Sequence, residues 1–158
     1  MNSLVDIDGP IDLGRSDWHQ ITQEQIDAFG RATFDMDPMH VDPEWAKREG
    51  PFGGTVAFGF QTMSMLTNFS HQIFGEWAER FPELKYALNY GFDSLRLMSP
   101  VPVGRRIRGH FVLNDAQDRK GGGTTLTIRA TVEIEGEEKP ALVGDWKFVA
   151  YPREAAPA

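Results

Sequence analysis

The stretch Thr55-Val-Ala-Phe-Gly59-Phe-Gln-Thr-Met-Ser64-Met-Leu-Thr67-Asn-Phe-Ser-His-Gln-Ile73 sets apolar residues at Val56, Phe60, Met63, Leu66 and Phe69. That spacing follows the turn of an α-helix, and it predicts one long, mostly buried helix over about Thr55 to Ile73. Just before it, Gly50-Pro51-Phe52-Gly53-Gly54 reads as a loop. After it the period drops to two. Tyr86 to Leu97 alternates imperfectly, with Gly91 a candidate bulge, and Arg106 to Leu113 is a further strand. Thr124 to Glu135 alternates most cleanly, and Ala141 to Ala150 is the last strand. Asp118 to Gly123 and Gly136 to Pro140 supply the turns.

Upstream of the long helix, Thr22 followed by Gln25 forms a capping box that opens a helix fading between Gly30 and Thr33. Phe34 to His40 is too irregular for helix or strand, because Pro38 pushes Asp37 out of the helical region. Asp42-Pro43-Glu44-Trp45-Ala46-Lys47 reads as a short helix capped by Asp42, with Pro43 in the first helical position. Helices first and an antiparallel meander afterwards predict an α+β domain whose long helix lies against one sheet face. A sheet so covered leaves edges and apolar area exposed, for which dimerisation is the expected remedy.

The chain has 158 residues, 41% hydrophobic and 25% charged. One domain over 1–158 is expected, with an ordered core over about 12–150 and a frayed end over 153–158. The absence of cysteine excludes disulfides, thiolate zinc sites and a cysteine nucleophile. A net charge of −7 argues against a nucleic-acid partner. The first residues lack the basic and apolar regions of a signal peptide, and Gln61, Asn68, His71 and Gln72 interrupt the apolar stretch. No membrane span is expected, and the cytosol is the expected compartment.

Two places hold residues suited to chemistry. Asp35-Met-Asp37-Pro38-Met-His40 gathers two carboxylates and an imidazole in a loop held by one proline. Such groups can converge on one water and pass its proton. They also suit a solvated turn in which the carboxylates bond their own backbone and His40 is merely exposed. No metal-ligand spacing accompanies them. The second place is Gly53-Gly-Thr-Val-Ala-Phe58-Gly59-Phe60, at the start of the long helix. Unsatisfied helix-start amides there could face a developing oxyanion, or Gly59 could simply let helix and sheet pack closely.

Phe29-Gly-Arg-Ala-Thr-Phe34-Asp35-Met-Asp37-Pro38-Met-His40-Val-Asp-Pro, followed by Pro51-Phe-Gly-Gly-Thr-Val-Ala-Phe58-Gly59-Phe-Gln-Thr-Met-Ser64, resembles the MaoC-like hydratases and dehydratases of the hotdog superfamily. The family motif reads aspartate, any residue, asparagine, proline, an aliphatic residue and histidine, usually with glycine before the aspartate. A histidine–glycine pair opens the long helix some twenty residues later. The shorter branch typified by nodulation protein N is nearest, through Ser16-Asp-Trp18-His-Gln-Ile-Thr22-Gln. The resemblance spans about 12–150 and implies a hotdog fold, an antiparallel sheet wrapped around a long central helix, assembled as a homodimer or a dimer of dimers.

It also implies roles. Asp35 and His40 match the pair that activates water, and Gly59 matches the residue whose amide polarises a thioester carbonyl. Ser64 and Thr67 fall where the family lines its pocket. Three residues depart from the pattern: Phe34 replaces the glycine, Asp37 the asparagine, and Phe58 the histidine before Gly59. Asp37 sets a second negative charge beside Asp35, which tends to raise a carboxylate pKa. The activity so implied is addition or removal of water across the 2,3 double bond of an enoyl-CoA-type thioester, with no metal or redox cofactor. For the coenzyme A phosphates, Arg105 and Arg106 are the candidates within Gly104-Arg-Arg-Ile-Arg108, with Arg96 and Lys120 beside them. The rival readings are a hotdog thioesterase using Asp35, and a catalytically silent acyl-thioester-binding protein, to which Phe58 points.

Overall fold

Thr22 converts an extended N-terminal segment into helix. Its hydroxyl accepts the Gln25 amide while the Gln25 side chain accepts the Thr22 amide, the expected capping box. Helix α1 then runs from Gln23 to Thr33 and ends at Phe34 in the left-handed region (φ 60°, ψ 22°). The computed structural model describes residues 8–80, 84–120 and 122–152, except for the side chains of 76–80. The expected fraying of 153–158 lies outside the described residues.

Two strands precede α1, β1 (Ile11–Arg15) and β2 (His19–Gln20), and the sequence reading contained neither. They are too short for a periodic signal and exist because β4 pairs with both. The irregular segment after α1 contains a single turn, α2 (Pro38–Val41), capped by the Asp37 carboxylate at the Met39 amide. Helix α3 (Pro43–Arg48) follows, capped by Asp42 with Pro43 at its start as expected.

The long helix α4 spans Gly59–Arg80 and so begins four residues later than its apolar spacing suggests. The reason is tertiary. Val56 bridges to Pro102, the Ala57 amide donates to Val101 at 2.8 Å, and the Val103 amide donates to Thr55 at 3.0 Å. These bonds hold residues 55–57 extended and postpone the helix. Nor is α4 buried all round. Leu66, Phe69 and Ile73 enter the core, whereas Phe60 is 72% exposed and Ser64, Thr67 and His71 share its outer side.

The remaining strands are β3 (Leu84–Leu97), β4 (Arg106–Asp118), β5 (Thr124–Ile134) and β6 (Leu142–Pro152). Every pairing is antiparallel, in the order β1-β4-β5-β6-β3. The meander therefore holds only from β4 to β6. Strand β3 lies beyond β6, so the connection from β3 to β4 crosses the sheet. The bulge expected at Gly91 is present, with a register shift after Asn89 and φ 145°. Helix α4 packs over β1, β4 and β5, and Phe111, Ile128 and Val132 of those strands share one core with its Leu66, Phe69 and Ile73. The sheet's other face carries cross-strand ion pairs, with Glu133 held between Arg15 and Arg108 and with Arg129 on Asp145. At the far edge β3 exposes Tyr86, Leu88, Tyr90 and Leu97.

Candidate active site

The site is assembled where α1, α2 and the residues before α4 meet. Gly30 makes the approach feasible: a Cβ there would lie 2.7 Å from the Asp35 main-chain oxygen and 3.2 Å from Phe58 and Val41. The Asp35 amide donates back to the Gly30 carbonyl at 3.0 Å, which folds the chain sharply after Phe34. Asp35 Oδ1 accepts the Asp37 amide at 3.3 Å, and Asp37 Oδ1 accepts the Met39 amide at 2.9 Å. Both carboxylates thus shape the turn, as the local reading of this loop allows. Asp35 remains exposed, with capacity to accept further hydrogen bonds.

His40 is not merely exposed. It is half-buried on α2, with its Nδ1 2.7 Å from the Val56 carbonyl oxygen. A carbonyl only accepts, so Nδ1 carries the hydrogen, which leaves Nε2 as the nitrogen that can hold a lone pair. The ring lies on Phe58 with centroids 4.0 Å apart, and Phe58 in turn meets Phe29 at 5.3 Å. Phe58 is only 4% exposed. It therefore gives His40 an apolar wall where an imidazole would give hydrogen bonds.

Gly59 follows Phe58 directly and opens α4. The Phe58 carbonyl accepts the Thr62 amide at 3.0 Å, so the amides of the first helical turn have no partner within the helix. The helix dipole places positive potential at the same point. A Cβ on Gly59 would collide with the Leu97 side chain. Close helix–sheet packing and access to the amide are thus properties of the same glycine.

A side-chain network that the sequence reading missed ties these segments together. Gln23 Nε2 donates to the His40 carbonyl and to Asp27 Oδ1, each at 2.8 Å, while Thr55 Oγ1 donates to Gln23 Oε1 at 2.6 Å. No spacing in the sequence marks Gln23 or Thr55, and Val56 acts only through its main chain.

The other sequence candidates lie apart. Ser64 Oγ donates to the Phe60 carbonyl at 2.8 Å on the exposed side of α4. Thr67 lines a cavity of about 370 Å³ together with Ser70, His71, Phe74, Trp146 and Phe148. Eight residues of helix separate it from Gly59, about 12 Å along the axis. Arg105 and Arg106 are exposed and ion-paired with Glu137 and Glu135, so a phosphate would have to compete with those carboxylates. Hydrogen bonding by Arg106 lowers the pKa of Glu135. Among the described residues, no group of three or more His, Asp or Glu side chains is arranged to hold a metal ion.

A long helix packed on an antiparallel sheet defines a hotdog domain, and the anchored imidazole of His40 lies beside the start of that helix. The chain belongs to the MaoC-like family: the family described as "MaoC like domain" matches residues 11–135. It is 45% identical over 148 residues to nodulation protein N of Rhizobium leguminosarum bv. viciae, covering 91% of this chain and 88% of that protein. It is 42% identical over 133 residues to 3-hydroxyacyl-thioester dehydratase Z of Mycobacterium tuberculosis (strain ATCC 25618 / H37Rv), covering 84% of each. In fold it matches the crystal structure of the MaoC-like dehydratase from Rhodospirillum rubrum with a TM-score of 0.75 at 21% identity, over 96% of this chain and 98% of that one.

Proposed function

We propose that this MaoC-like protein is a hydro-lyase that interconverts a trans-2-enoyl thioester and its 3-hydroxyacyl form, with Asp35 and His40 as the proton-handling pair. The observation that carries the reading is the fixed imidazole: Nδ1 is committed to Val56, and the ring lies on Phe58, the residue just before Gly59 at the start of α4. The dehydratase relative supports the reaction class. In the hydration direction, the thioester carbonyl accepts from the Gly59 amide, which favours negative charge on that oxygen as the double bond is attacked. Asp35 and His40 hold a water at C3. One of them removes its proton, the C3–O bond forms, and the other returns a proton to C2. Dehydration is the reverse path. Water alone supplies the atoms added, and this reading calls on no metal or redox cofactor.

The acyl chain runs along α4 toward the cavity at Thr67, and coenzyme A is the carrier favoured by this reading. A homodimer joined through β3 belongs to the same proposal, because that long edge strand exposes tyrosine and leucine side chains to solvent. The proposed compartment is the cytosol; among the described residues no helix is long and apolar enough to cross a membrane.

The test follows the enone absorbance of crotonyl-CoA, with Asp35→Asn and His40→Gln as controls. Loss of absorbance in wild type, abolished by both substitutions and without release of free thiol, is the expected result. Thiol release would make the protein a thioesterase. Thermal stabilisation by crotonyl-CoA without turnover would favour the silent binder, with Phe58 as its signature.

A further inference from the structure

We propose that Gln23 is a positioning residue for His40, acting with Thr55 as a clamp that sets the tautomer and direction of the imidazole. The inference rests on the assignment of His40 as a proton carrier. The imidazole is held from two separate segments: its own main chain belongs to α2, and its Nδ1 partner, the Val56 carbonyl, belongs to the extended residues 55–57. The ring keeps one orientation only while those two segments keep one separation. The Gln23 amide spans them, because its nitrogen donates to the His40 carbonyl and its oxygen accepts from the Thr55 hydroxyl, one residue before Val56.

The amide's own orientation is determined by its partners. Two acceptors, the His40 carbonyl and Asp27 Oδ1, face the nitrogen, and a hydroxyl faces the oxygen. A flipped amide would set its oxygen against both acceptors. Thr55 is 2% exposed, so water has little access with which to replace the hydroxyl contact. Gln23 sits in the first turn of α1, which the capping box at Thr22 and Gln25 holds independently. The clamp therefore has a rigid base on a helix that carries neither member of the catalytic pair.

Without it, the Nδ1–Val56 contact loosens, and the alternative neutral tautomer, with hydrogen on Nε2, becomes populated. That tautomer has lost the Nε2 lone pair, so proton acceptance from water fails while thioester binding at α4 is little changed.

The experiment uses the full chain in variants Gln23→Leu, Thr55→Val and Thr55→Ser, with two readouts. Imidazole nitrogen and carbon shifts of His40 give the tautomer without reference to activity, and crotonyl-CoA hydration gives kcat and KM. In wild type the Nδ1–H tautomer is expected alone. Gln23→Leu and Thr55→Val should each show a tautomer mixture, with kcat lower by about 10- to 100-fold and KM changed less than about threefold. Thr55→Ser, which keeps the hydroxyl, should restore both readouts. If Gln23→Leu fails to fold, Thr55→Val breaks the clamp from its other end. If Gln23→Leu or Thr55→Val keeps the wild-type tautomer, or the wild-type kcat, the proposal is overturned. If wild type does not hydrate crotonyl-CoA, the hydratase reading fails on that substrate and the tautomer alone decides the clamp.

Discussion

Phe34 is the one non-glycine among the described residues with positive φ, it is 93% exposed, and it occupies the position where the family usually has glycine. Its backbone explains that preference: α1 must end in the left-handed region for the chain to fold back to Gly30, and a Cβ is costly there. Phe34→Gly should raise stability by about 0.5–1 kcal/mol, read as about 1–4 °C in Tm. Phe34→Ala keeps the Cβ and should leave Tm nearly unchanged. Gly30 is the opposite case. Alanine there would press on the Asp35 main-chain oxygen, which is backbone and cannot swing aside. Gly30→Ala should cost about 1–3 kcal/mol in a denaturant titration and displace the turn that carries Asp35. At this scale Asp35 and His40 are singled out by their match to the family motif, whereas the carbonyl that orients His40 carries no side-chain signal at all.

Among the elements, α4 and β3 divide the work. The start of α4 is decided by its neighbours, since pairing with Val101–Val103 keeps residues 55–57 extended and delivers Gly59 as the first helical residue. An apolar period of 3.6 continues through residues 56–60 without revealing that boundary. Strand β3 was recognised with its bulge, but its place at the sheet edge depends on β6 pairing with it across the crossing connection. Tyr90, 64% exposed near the middle of that edge, is well placed to meet a second copy. Tyr90→Lys should convert the proposed dimer to monomer in sedimentation velocity, because facing copies would bring like charges together. An unchanged sedimentation coefficient would move the interface elsewhere.

For the whole molecule, the outer face of the sheet sets the response to acid. Burial alone would push the Glu133 carboxyl up, but hydrogen bonds and charge from Arg108 and Arg15 outweigh it and hold the pKa below its ordinary value of 4.5. Asp12 is lowered as well, chiefly by the Gly14 amide. Because the folded-state value lies below the unfolded one, the unfolded chain takes up the proton first as pH falls. The stabilisation is complete above the unfolded value and is lost as pH drops through the folded one. Glu133→Gln should therefore cost about 1 kcal/mol at neutral pH, and the gap to wild type should narrow as pH falls below 4.5 in urea titrations.

The order of the longer helices and strands, the caps at Thr22 and Asp42, the Gly91 bulge and the family motif were all determined by the sequence itself. Each depends on residues near one another in the chain, where side-chain preference and backbone freedom act directly. The crossing of β3 to the far edge, the late start of α4, the existence of β1 and β2 and the clamp on His40 were decided only in the tertiary structure. Those features depend on backbone groups that find partners far along the chain, and a main-chain amide or carbonyl is the same at every residue that could supply it.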